Sequence, residues 1–177
     1  MLSIWLALVF LGGVPGLARA GYPGLGKPAP PFVVSSAAGD RLTLDMLRGK
    51  VVVMFYESRH VIRQNLELKN ELKRLYRAQP DRIKRTIFRL VVINCAEANF
   101  VTRPFWKSKL TQHSRKEGFP IYGDWTGSIL PKYRLQPEAS NFLIIDQQGI
   151  IRYYAAGRVN RSRFGEIKRL LSSLVAQ

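Results

Sequence analysis

Two stretches of the chain are apolar almost without interruption: Val51 to Tyr56, and the centre of Thr86 to Cys95. Runs of β-formers with no polar alternation belong to central strands covered on both faces. Between them the period changes. Val61, Leu68, Leu72 and Leu75 or Tyr76 recur at the spacing of one helix face, and Arg63, Lys69, Glu71, Lys73, Arg74 and Arg77 fill the other. Ser58 stands where an N-cap belongs, so a helix is predicted to begin just after it and to end by Pro80-Asp81. Pro104 to Lys116 predicts another helix, with proline at its start where the missing N–H costs nothing.

The flanks are shorter elements. Residues 21–31, rich in Gly and Pro, predict an extended lead-in. Phe32 to Val34 and Arg41 to Leu44 are short strands about the turn Ala38-Gly39-Asp40. Ile121-Tyr122 and a helical turn from Ser128 to Leu135 follow the second helix. Asn141 to Asp146 and Ile150 to Ala155 predict a hairpin through Gln147-Gln148-Gly149, with glycine at a positive φ. A final helix, capped by Ser162, presents Phe164, Ile167, Leu170, Leu171, Leu174 and Val175 on one side. The order predicts parallel crossover strands followed by an antiparallel pair, in one α/β domain over residues 21–177.

Residues 1–20 change the setting. An apolar run from Ile4 to Leu11, then Pro15 and the small residues Ala18 and Ala20, reads as a secretory signal cleaved after Ala20. An uncleaved anchor is the rival reading. Export places the chain in a periplasmic or extracellular space. The formal charge is +16, and the leader carries only Arg19 of it. A basic exported protein meets anionic headgroups, envelope partners and acidic polymers, while nucleic acid is disfavoured there.

Three stretches resemble the thioredoxin-like redoxin and peroxiredoxin-like proteins. Leu25 to Phe32, LGKPAPPF, is similar to their G-x-x-A-P-x-F opening. Leu44 to Phe55, LDMLRGKVVVMF, is similar to their run into the first central strand, and Asn141 to Gly149, NFLIIDQQG, to their hairpin. The resemblance implies a thioredoxin-like fold: a central mixed sheet flanked by helices, with a C-terminal β-hairpin and helix. In that family the first strand runs into F-W-A-x-W-C-x-x-C-R. Phe55 and Tyr56 match the aromatic pair, but His60 and Arg63 stand where the two cysteines belong. The family's cis-proline is replaced by Ala139. A non-proline cis bond costs about 3 kcal/mol, so a trans bond is expected. Signal peptide, strand endings and hairpin also resemble the YtfJ-type periplasmic proteins, which lack the cysteine pair.

The chemistry left is sparse. Cys95 is the one cysteine, so no disulfide closes within the chain. It is either an inert core thiol or, beside His60, a candidate nucleophile for a thiol-dependent reductase or peroxidase. Arg59, His60, Arg63 and Gln64, expected at a helix N-terminus, suggest an anion site. No cofactor is implied, and two histidines without clustered carboxylates imply no metal. Phe100, Phe105, Trp106, Tyr122 and Trp125 interleave with basic residues, a pattern nucleic-acid platforms share. The leading expectation is a binding or scaffolding protein of the envelope without dithiol catalysis. The alternatives are redox work through Cys95, or a basic protein of membrane or anionic surfaces.

Overall fold

The computed structural model describes Tyr22 and residues 24–176. The signal peptide expected over residues 1–20 lies outside them.

Seven strands form one mixed sheet: β1 (Val33–Ser36), β2 (Arg41–Thr43), β3 (Val51–Glu57), β4 (Ile87–Asn94), β5 (Tyr122–Asp124), β6 (Asn141–Ile145) and β7 (Ile151–Ala156). Their spatial order is β2-β1-β5-β4-β3-β6-β7. β3, β4 and β5 run parallel, and β6 and β7 are antiparallel to their neighbours. This is the crossover-then-hairpin order the sequence predicts. Every residue of β3 is buried, as its unbroken apolar run requires. Gly149 turns the β6–β7 hairpin at φ +81°.

The helices are α1 (Leu66–Arg77), α2 (Asp81–Lys84), α3 (Arg103–Glu117), α4 (Ile129–Lys132) and α5 (Phe164–Val175). Alternation along β3 divides the core. Val52, Met54 and Tyr56 face Phe32, Leu90, Val92, Tyr133 and Leu143 on one side of the sheet. Val51, Val53 and Phe55 face Leu68 of α1, Ile167 and Leu174 of α5, and Phe142 on the other. A separate small cluster of Cys95, Leu110 and Ile121 lies under α3. Two of the long helices bury little: Leu68 alone of the twelve residues of α1, and Leu110 alone of the fifteen of α3. The left-handed Gly118 at φ +76° ends it.

Three local expectations are corrected. Residues 59–65 are consecutive turns, so α1 starts at Leu66 and Ser58 caps nothing. β1 begins at Val33, where its register with β2 starts opposite Thr43, so Phe32 lies outside the ladder. Ser162 makes no cap, since a single 3-10 turn at Arg161–Arg163 leads into α5.

Candidate functional site

The segment between β3 and α1 is where the resemblance places a dithiol. Its backbone bonds span three residues: Val61 N–H to the Ser58 carbonyl at 3.2 Å, Gln64 to Val61 at 2.9 Å, and Leu66 to Arg63 at 3.2 Å. The four-residue ladder starts only with Lys69 N–H to the Asn65 carbonyl. Asn65 heads α1 but does not cap it. Its side chain is spent on distant partners, donating to Ser140 Oγ (3.0 Å) and the Gly157 carbonyl (2.8 Å) and accepting from Val159 N–H (2.8 Å).

Beneath this turn lies a closed polar network. Glu57, the last residue of β3, is buried. Its carboxylate accepts from Lys69 Nζ at 2.6 Å and from Ser140 Oγ at 2.6 Å. Lys69 also donates to the Ile62 carbonyl at 2.9 Å, and Gln64 Oε1 accepts the Ser140 N–H at 2.7 Å. Asn141 continues the chain of bonds to the Gln136 and Ala139 carbonyls and accepts from the Tyr154 hydroxyl. Burial raises the Glu57 pKa above its ordinary value, with Lys69 and then Ser140 opposing that rise. Among the described residues no peptide bond is cis, so the Glu138–Ala139 bond, which corresponds to the family's cis-proline bond, is trans. Gln64 and Ser140, the neighbours of the Arg63 and Ala139 positions, are thus joined by a hydrogen bond between the turn and the approach to β6.

The residues singled out from sequence separate. Arg59 and His60 are exposed; Arg59 Nε lies 3.0 Å from His60 Nε2, and its guanidinium sits 5.7 Å from the Trp106 ring. Arg63 is exposed. Gln64 turns inward to hold Ser140. Arg63 and Gln64 stand just before the start of α1 at Leu66, and Arg59 and His60 lie earlier in the turns that lead to it. Glu57, Lys69, Asn65 and Ser140 were not singled out from sequence. One signal was present: a carboxylate directly continuing a strand apolar on both faces must find a partner inside.

Cys95 follows β4 and is fully buried, with its N–H on the Asp124 carbonyl at 2.9 Å. Burial pushes its thiol up to about 12; Asp124 adds to the rise and Arg103 opposes it. His60 is not brought to it. Asp124 is itself a fixed structural acceptor, taking the Ile129 N–H at 2.9 Å and the Tyr56 hydroxyl at 3.2 Å. Neither environment activates a nucleophile.

Several basic residues are matched by acids. Arg158 and Arg161 pair with Glu67, Lys168 with Glu71, and Lys84 with Asp81. Around α3 the acids thin out, leaving Arg103, Lys107 and Lys109 beside a bare apolar tip. Phe100 is 90% exposed, Val101 71% and Phe105 61%. Among the described residues no helix is long and apolar enough to cross a membrane.

No protein-family model matches the chain, and no curated protein matches it. Solved structures do. A candidate protein disulfide isomerase from Bacteroides thetaiotaomicron matches at 18% identity and a TM-score of 0.66, covering 89% of this chain and 94% of that one. An exposed lipoprotein thioredoxin from Streptococcus pneumoniae matches at 16% identity and a TM-score of 0.59, covering 82% and 100%. A thiol peroxidase from Chromobacterium violaceum matches at 13% identity and a TM-score of 0.61, covering 86% and 88%. At these identities the likeness shows the fold: the chain has a thioredoxin-like fold.

Proposed function

We propose that this is an exported thioredoxin-fold protein that binds rather than catalyses, with dithiol chemistry absent. The observation that carries the reading is the bonded set Lys69–Glu57–Ser140–Gln64, which lies beside the His60 and Arg63 positions that the resemblance gives to a redox pair. Cys95, the one sulfur nucleophile of the sequence, is sealed in the α3 cluster with a raised pKa. Export rests on the sequence of residues 1–20, and kinship with the YtfJ-type periplasmic proteins rests on pattern. The test is turnover. With dithiothreitol as reductant, the parent and Cys95→Ser are expected to reduce insulin and consume peroxide no faster than buffer. Turnover by the parent that disappears in Cys95→Ser would overturn the reading in favour of a Cys95 enzyme.

A second reading, a protein of anionic membrane surfaces, is favoured by the exposed Phe100, Val101 and Phe105 among the cations of α3. Apolar side chains entering the headgroup layer with Lys and Arg beside them are attracted by about 1 kcal/mol per cation near the surface. Sedimentation with vesicles is expected to show binding that needs anionic phospholipid and falls steeply between low and physiological salt. Phe100→Ser with Phe105→Ser should weaken it. Equal binding to zwitterionic vesicles, or no effect of the double variant, contradicts this reading.

A further inference from the structure

The sheet face that carries α1 and α3 is not evenly filled. α1 and α5 close over β3 through Leu68, Ile167 and Leu174. α3 reaches the sheet through Leu110, which packs with Cys95 and Ile121 against Val91 and Ile93 of β4. Between α1 and α3 lies a cavity of about 400 Å³, within the range of small-molecule sites. Its floor is apolar: Val53 and Phe55 of β3, Val91 and Ile93 of β4, Leu110 of α3, and Ile121.

The charged groups in its wall are unevenly matched. Glu57 is satisfied by Lys69, and Glu117 by Lys73 at 3.1 Å, a bridge that also joins α1 to α3. Both acids of the wall are therefore used. Arg63, Arg89 and Lys116 line the same cavity and pair with neither of its acids, and His113 lies beside them. Arg89 is the informative one. It projects from the middle of a central strand, opposite Val53, in a layer otherwise apolar. Its guanidinium is held between the rings of Tyr76, at 4.3 Å, and Phe119, at 4.4 Å. Cation–π contact with two rings holds the group in place while leaving N–H donors for a planar or tetrahedral anion. A half-buried cation without a counter-charge is costly, and an anionic ligand removes that cost.

We propose that this cavity binds a single-chain anionic amphiphile of the fatty-acid class. The acyl chain lies on the Val53–Phe55–Val91–Leu110 floor and the carboxylate meets Arg89. The proposal deepens the binding reading by naming a ligand class. The turnover assay decides that reading and the titration below decides this one, so each can fail alone.

The test is isothermal titration of the full chain with octanoate, decanoate and dodecanoate, each below its micelle-forming concentration. Dodecylammonium is the charge-reversed control. Expected is one saturable site whose affinity rises about fourfold per methylene, with dodecylammonium about tenfold weaker or worse than dodecanoate. Arg89→Leu should remove the preference for the carboxylate while keeping the dependence on chain length. Val91→Phe, which fills the floor, should weaken every ligand. If Arg89→Leu does not fold, by circular dichroism, the carboxylate–ammonium comparison on the parent and the Val91→Phe titration decide the matter. No saturable binding, equal affinity for the ammonium, or dodecanoate binding unchanged by Val91→Phe overturns the proposal.

Discussion

Lys69→Met is expected to lower stability by about 3–5 kcal/mol near neutral pH, because it leaves the Glu57 carboxylate buried without its cation. The loss exceeds the exchange of one hydrogen bond for another. Glu57 has no exposed side-chain surface, and its remaining partner, Ser140, is neutral. The pH dependence follows from the direction of the Glu57 shift. Its folded pKa is already raised by burial, and Lys69 is the largest group holding it down. Removing Lys69 raises it further. A carboxyl raised in the folded state contributes stability that is fully present below its unfolded pKa, about 4.3 for glutamate. That stability is lost as pH rises through the folded value. The deficit of Lys69→Met relative to the parent should therefore shrink on acidification toward about pH 4.5 and be greatest at pH 7–8. The double variant Glu57→Gln with Lys69→Met, which removes both charges, should recover to within about 1 kcal/mol of the parent. Urea unfolding of the three variants at pH 5 and pH 8 measures all of this. A deficit that is the same at both pH values, or a double variant worse than the single, would show that Glu57 is not the group left unpaired.

The sheet was legible because its information is local. The apolar run Val51 to Tyr56 could only be a central strand, and β3 is buried from Val51 to Glu57. The hairpin was legible from Gly149, and the parallel-then-antiparallel order from the alternation of strand and helix patterns. The start of α1 was not. Ser58 carries the composition of a cap, but its hydroxyl is buried without a hydrogen-bond partner, and the helix waits for Asn65. What holds the chain in turns over residues 59–65 comes from the far end of the sequence. Asn65 bonds to Gly157 and Val159, which stand 92 and 94 positions away, and Gln64 to Ser140, 76 positions away. No local pattern reports such pairings. That His60 and Arg63 stand at the two positions the resemblance gives to cysteines was plain. The polar set beneath the turn was not, because Lys69 reads as an ordinary solvent-facing charge on a helical pattern. Its amine instead folds under the turn to Glu57, with its charge 5.1 Å from the Phe55 ring.

The second large effect concerns the sulfur. Cys95 has no solvent exposure, and its thiol sits against Leu110 and Ile121 with its titration pushed up to about 12. Against an ordinary thiol near 8.5, the thiolate fraction at pH 8 is smaller by about a thousandfold. Because the thiolate is the species that reacts, alkylation in the folded protein should be slower by at least that factor. Burial adds to the factor, since the reagent must wait for the α3 layer to open. The rate should then climb with urea in step with local or global unfolding, whereas a poised thiol would already be fast in water. The decisive measurement is the rate of iodoacetamide modification of Cys95 in the native protein between pH 6 and pH 9, set against the same chain in concentrated urea. A thiol-exchange protein built on this scaffold must offer its sulfur to solvent as a thiolate. Native modification is expected to be at least about a thousandfold slower than in the unfolded chain, with no titration step in that pH range. Rapid native modification that titrates at or below the ordinary thiol value would contradict that expectation.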